Sequence, residues 1–179
     1  MKKDYDCDGV MHIDTSSKLY ERKDTGIAYK IIKTNHHQGL GLSLKLKKEL
    51  ERDLGYDYAR IYSICIYYLI EKNLDIFDTL VICEDEDYNK VEKYLRLLFS
   101  DNRKYKEKEV ISLYKLREIT GNRKLKSYAD NVANSYRKRA LKNIQRQQVG
   151  TPLNIIKISY KLIKDKWNEI EKKLCVSGG

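Results

Sequence analysis

The spacing of apolar residues divides the chain into alternating strand-like and helix-like stretches. Short runs with β-branched and alternating character at 9–15 and 25–33 predict two strands, joined by hydroxylated and charged turn residues. Residues 34–41, Thr-Asn-His-His-Gln-Gly-Leu-Gly, are polar and glycine-containing and read as a loop. From Ser43 the pattern changes to a helical period. Leu46, Leu50 and Leu54 fall on one face, and Gly55 stops the helix. A second helix at 57–73 carries Ile61, Tyr62, Cys65, Tyr68 and Leu69, a broad stripe of the buried type. There follow a strand at 78–83, an acidic turn, a helix at 88–99 that Asp87 can cap, and a strand at 109–116. The last third is helical. Leu125, Tyr128, Ala129, Val132, Ala133, Tyr136 and Ala140 keep a 3.6-residue period, and Thr151-Pro152 starts a final helix. In that helix Ile156, Tyr160, Ile163, Trp167, Ile170 and Leu174 form a stripe suited to packing on the domain or, as the alternative, to a dimer seam.

This alternation predicts an α/β fold, a mixed sheet flanked by helices with a long helical C-terminal third. The 179 residues suit one core, with a domain over 1–150 and the last helix, 151–179, packed on it. No apolar run is long enough to cross a bilayer, and Met1-Lys2-Lys3-Asp4 leads into acids, so the expectation is a cytoplasmic protein with no membrane partner. Cys7, Cys65, Cys83 and Cys175 are scattered without metal-type pairing, and Cys83 reads as a core residue.

Charge alters this picture. The chain carries a net +10, and residues 103–148 hold 14 Lys and Arg against four acids, so that segment accounts for the whole excess. Basic charge concentrated in one segment, interleaved with Tyr105, Tyr114, Tyr128 and Tyr136, predicts a nucleic-acid partner, DNA or RNA, gripped by residues such as Lys126, Arg137, Lys138, Arg139 and Lys142. The alternative is a solvated helical face. The sequence leaves monomer and homodimer open.

Three acidic positions stand out against this basic background. Asp14 ends the first strand, where His12 and Asp14 share a face and Ile13 takes the other. Glu84 or Asp85 lies just past the strand at 78–83, at the end where α/β sheets usually hold their sites. Asp130 is set in an otherwise basic helix. Carboxylates delivered by separate strands and a helix can converge on a hard cation such as Mg²⁺ or Mn²⁺. Each also has a plainer use, in a turn, a cap or a surface ion pair. His36-His37 reads as a surface pair, and Gly39-x-Gly41 lacks the remainder of a dinucleotide fingerprint.

Ile13-Asp14-Thr15-Ser16-Ser17 with Thr25-Gly26-Ile27-Ala28 resembles the opening hairpin of the RNase H-like superfamily, in which a strand-end aspartate precedes a turn and a second strand. Tyr128-Ala129-Asp130-Asn131-Val132-Ala133, followed by Tyr136-Arg137-Lys138, is similar to the closing helix of a domain family of unknown function within it, one that opens on Asp-Glu-Ser-Gly and closes on an Ala-Asp pair. Thr15 stands where that family has glutamate, and Ser17 where it has glycine. The resemblance implies Asp14 and Asp130 as the first and last metal-ligating carboxylates, Glu84 or Asp85 as the middle one, and Mg²⁺ or Mn²⁺ as the cofactor. The expected function is therefore a divalent-metal-dependent nuclease hydrolysing phosphodiester bonds. The alternatives are a nucleic-acid-binding protein of the same fold without turnover, and an interaction module that pairs through its last helix.

Overall fold

In the computed structural model, which describes residues 5, 9–140 and 154–177, the opening hairpin folds as β1 (Val10–Thr15) and β2 (Thr25–Ile31), antiparallel with Asp14 opposite Ala28. A third strand, β3 (His37–Leu42), follows where the sequence reads as a loop. It pairs antiparallel with β2, and its alternation sets Leu40 and Leu42 in the main core against Gly39 and Gly41 on the opposite face of the sheet, where Tyr136 lies against Gly39. Four of its six residues are polar or glycine, so the pattern reads as a turn; only the pairing partner makes it a strand.

Helix α1 (Leu44–Leu54) starts where Ser43 accepts a hydrogen bond from the Leu46 N–H, and it ends at Gly55, whose φ of +87° favours glycine. Asp57 caps α2 (Tyr58–Ile70), and β4 (Thr79–Ile82) then enters parallel to β1. Asp87 caps α3 (Tyr88–Leu98) by accepting from the Asn89 and Lys90 N–H groups. A single turn, α4 (Arg103–Lys106), leads into β5 (Glu109–Ser112), parallel to β4. The strand expected over 109–116 is halved, because Ser112 accepts from the Lys115 N–H and opens α5 (Leu113–Thr120). The final helices are α6 (Asp130–Ala140) and α7 (Tyr160–Ser177).

The result is a five-stranded mixed sheet in the order β3-β2-β1-β4-β5, with helices on both faces. The odd-numbered residues of β1 and β2, among them Met11, Ile13, Ile27 and Tyr29, face a large core shared with α2, α3 and α7. The even-numbered residues face the other way, and α5 and α6 cover them. Asp14 therefore points away from the main core. The loop that precedes β2 is pinned by Lys47, whose ammonium donates to the Leu19 and Glu21 carbonyls and to the Thr25 hydroxyl.

The late helix begins later than its apolar period predicts. Residues 121–129 are irregular, and Asp130 sits in the first turn of α6 rather than mid-helix. The last helix likewise begins at Tyr160. Thr151 and Pro152 lie outside the described residues, and Ile155 instead forms a parallel bridge to Gly39. Ile156 N–H donates to the Gly39 carbonyl at 2.9 Å, so this short extended segment covers the β3 edge.

The stripe of α7 is buried in the chain's own core at Ile163, Trp167 and Ile170. The Arg60 guanidinium lies 4.1 Å from the Trp167 ring, with Tyr94 5.1 Å away from the same group. Trp167→Ala is expected to cost about 3–5 kcal/mol, through the cavity and the lost guanidinium contact. Chemical denaturation checks this value, and a loss under about 1 kcal/mol would show that α7 does not pack as described.

Candidate metal centre

The parallel register of β1 and β4 sets the geometry of the site. Ile13 pairs with Ile82, and the Cys83 N–H donates to the Ile13 carbonyl at 3.0 Å, so the chain that leaves β4 runs directly past Asp14. Asp14, Cys83 and Asp85 each present one ligand atom within 4.8 Å of the others. They lie at the carboxyl ends of two adjacent parallel strands, as expected for an α/β sheet. This group can hold a metal ion.

Each carboxylate is held by named neighbours. The Thr15 N–H donates to Asp14 Oδ1 at 2.8 Å, and the Thr15 hydroxyl donates to Asp85 Oδ2 at 2.5 Å. Asp14 also accepts from the Cys83 thiol and from the Ser127 hydroxyl, in the irregular segment before α6. Burial pushes the Asp14 carboxyl up to about 7, and the charge of Asp85 adds to that, against the opposing hydrogen bonds from Cys83, Thr15 and Ser127. Burial and the two aspartates hold the Cys83 thiol protonated, well above its ordinary range. The half-buried Glu86, next to Asp85 in the chain, is raised to about 7 by burial and by Asp85, and one of its carboxylate oxygens has no hydrogen-bond partner among the described residues.

The sequence-predicted residues divide accordingly. Asp14 and Asp85 come together. Glu84 is exposed, and neither Glu84 nor Asp130 belongs to the group within 4.8 Å. Asp130 is exposed in the first turn of α6, where its N–H donates to the Ser127 carbonyl, three residues from the hydroxyl that holds Asp14. Cys83, read from the sequence as core, is a member of the group. Ser127, Glu86 and the hydroxyl of Thr15 have no motif of their own. A partial signal existed for Cys83 and Asp85: continuing the alternation of β4 from Val81 puts both on the face that carries Asp14.

The basic residues, contiguous in sequence, divide between ion-paired and exposed positions. Lys104 pairs with Asp75 and Lys108 with Asp78, while Arg103 and Lys115 pair with Glu107 and Glu118. Arg123, Lys124 and Lys126 are exposed on the segment that leads to Ser127 and α6. Lys138 and Arg139 are exposed near the end of that helix; Arg137 is half-buried and bonded to Asn134; Lys142 lies outside the described residues. His36 and His37 bond to the hydroxyls of Tyr29 and Tyr136, at 2.9 and 3.1 Å. Among the described residues, no helix is long and apolar enough to cross a membrane.

Comparison with protein-family models, curated proteins and solved structures gave no match.

Proposed function

We propose that this protein is a divalent-metal-dependent nuclease of RNase H-like design, with Asp14 and Asp85 as its metal-holding carboxylates. The observation that carries this reading is Asp14 itself. A carboxyl so deeply buried, raised to about 7 and set beside a second aspartate, is unfavourable as one of two adjacent anions and favourable around a cation. The mixed sheet, with its opening antiparallel hairpin and a strand-end aspartate, is compatible with the resemblance noted in the sequence.

The donor chemistry fits a borderline cation. Two carboxylates suit Mg²⁺ or Mn²⁺, and the Cys83 sulfur, where it gives up its proton to the ion, would favour Mn²⁺ over the harder Mg²⁺. Bound there, the cation would supply Lewis acidity toward the phosphoryl oxygens and a water that is more easily deprotonated. Thr15 fixes the orientation of Asp85, and Ser127 that of Asp14, as hydrogen-bonding neighbours of ligands commonly do. Arg123, Lys124, Lys126, Lys138 and Arg139 would hold flanking phosphates, and Asp130 would approach from α6. Hydrolysis adds water at phosphorus and breaks one ester P–O bond. The departing oxygen takes up a proton.

A second reading is favoured by the same hydrogen bonds. Thr15 and the Cys83 thiol already satisfy the two aspartates with neutral donors, an arrangement that suits a binding protein without turnover. Cleavage of labelled single- and double-stranded DNA and RNA, with and without Mn²⁺ or Mg²⁺, decides between the two. The nuclease reading expects metal-dependent cleavage that Asp14→Asn and Asp85→Asn abolish and that Thr15→Val lowers about 10–100-fold. Salt-sensitive binding with no cleavage under any divalent cation would establish the binding protein instead. Cleavage that survives Asp14→Asn would remove the site assignment.

A further inference from the structure

We infer that the cavity behind His12 is a slot for a single unstacked nucleobase, so that the substrate is single-stranded or locally opened nucleic acid; this rests on the nucleic-acid reading above. The cavity measures about 290 Å³ and is bounded by Tyr5, His12, Thr120, Asn122, Leu125 and Tyr128. That is the small end of the range for ligand pockets and suits a flat ring rather than an extended molecule.

His12 makes the slot more than a crevice. The residue is fully buried on β1, yet neither ring nitrogen has a hydrogen-bond partner among the described residues. Native interiors rarely leave such a group unsatisfied, because desolvating it without a partner costs free energy. A neutral imidazole offers one donor and one acceptor, and a nucleobase edge offers the complementary pair. Tyr128 stands edge-on to His12 with ring centroids 5.1 Å apart, and it is 42% exposed, which leaves it available at the mouth for stacking. Leu125 supplies an apolar wall, while Thr120 and Asn122 add polar groups to the rim.

Position ties the slot to the acidic group. His12 and Asp14 lie on the same face of β1 two residues apart, about 7 Å along the strand. Tyr128 follows directly on Ser127, which holds Asp14. The exposed Arg123, Lys124 and Lys126 belong to the same segment as Leu125 and Tyr128. A strand whose phosphates meet these cations, and whose scissile phosphate reaches Asp14 and Asp85, therefore brings a neighbouring base to His12. A duplex cannot present that base without unstacking it.

Titration of the full chain, at low salt and without divalent cation, with a short labelled single strand and with its fully abasic counterpart separates base capture from phosphate binding. The intact strand is expected to bind about tenfold more tightly. His12→Phe and Tyr128→Leu are each expected to erase that difference while leaving the affinity for the abasic strand unchanged. His12→Phe also replaces an unpaired polar ring with an apolar one of similar shape, so its melting temperature should hold or rise, which separates lost capture from lost folding. Equal wild-type affinity for the two strands overturns the slot and leaves the nucleic-acid reading standing. If neither strand binds, that reading falls, and the His12 ring NMR signals under titration with adenosine and uridine then decide the slot alone. Shifted signals sustain it as a nucleobase site; unmoved signals show that it holds water only.

Discussion

Gly26→Ala is expected to lift α6 from the sheet and to destabilise the protein by about 3 kcal/mol or more, at or beyond the upper end of ordinary overpacking. A Cβ at Gly26 would stand 2.3 Å from the Ala133 carbonyl oxygen and 2.5 Å from the Arg137 nitrogen. Both are backbone atoms, so no side-chain rotation relieves the clash, and the helix itself must move. The seat continues along the same face of the sheet, where Ala28 packs on Ala133 and Tyr136, and where a Cβ at Gly39 would strike the Tyr136 ring at 2.4 Å. Denaturation gives the size of the loss, and amide exchange along α6 shows where it falls. Ala133→Gly should not rescue the variant, since it removes a methyl group and leaves the offending carbonyl in place. Unchanged stability together with unchanged protection of α6 would mean that the helix does not lie on β2 as described. Because the chain just before α6 brings Ser127 to Asp14, the same substitution should also weaken cation binding.

Asp14→Asn is expected to make the metal-free protein more stable near pH 8, by roughly 2–4 kcal/mol, although it removes a functional group. The folded carboxyl titrates near 7 rather than in its ordinary range near 3.8. A raised carboxyl means that the folded state holds its proton more tightly than the unfolded chain does. Its contribution is fully present below about pH 4 and is lost as pH climbs through about 7. Asparagine has no such loss, so the gap between variant and wild type should open between pH 4 and 7 and then stay level. Glu86, also raised to about 7, acts in the same direction, whereas His12, lowered to about 4 by burial, acts in the opposite one below its ordinary 6.5. Both are present in the two proteins, so the difference between them isolates Asp14. With Mn²⁺ at pH 8 the order should reverse, since the cation stabilises only a site with both carboxylates. Melting curves over this pH range, with and without the ion, test the argument. A variant less stable than wild type at pH 8 in chelator would show that Asp14 is stabilised as an anion by contacts other than a cation.

The elements that could be read from sequence are those fixed by local chemistry. Ser43, Asp57 and Asp87 announce three helix starts because a cap is a contact between near neighbours in the chain, and Gly55 marks an end for the same reason. Strand β3 was not legible, because Gly39 answers to Tyr136, on a helix almost a hundred residues further on, and Gly41 to its pairing with Gly26; without those partners in view both glycines look like turn residues. The acidic site was half legible. Asp14 followed from its position at the end of a strand. The choice between Glu84 and Asp85 depended on how far the alternation of β4 runs past its last pair, and Cys83 depended on the parallel register with β1. Ser127 was out of reach, because it approaches Asp14 from an irregular segment. The basic run was legible as charge but not as ion pairing. Which of its cations are engaged depends on residues distant in the chain: Asp75 and Asp78 take two of its lysines as ion-pair partners.

The bridge between Gly39 and Ile155 bears on the order in which the protein matures during synthesis. Strands β1 to β3 emerge from the ribosome early and can pair as soon as they are clear, yet the outer edge of β3 receives its cover only when residues 154–156 arrive. At typical elongation rates that leaves the edge unprotected for about 6–23 seconds. During that interval Gly39 and its neighbours can recruit a strand from another nascent chain, so slow translation or truncation ahead of Ile155 should favour aggregation even though most of the sheet has already been made.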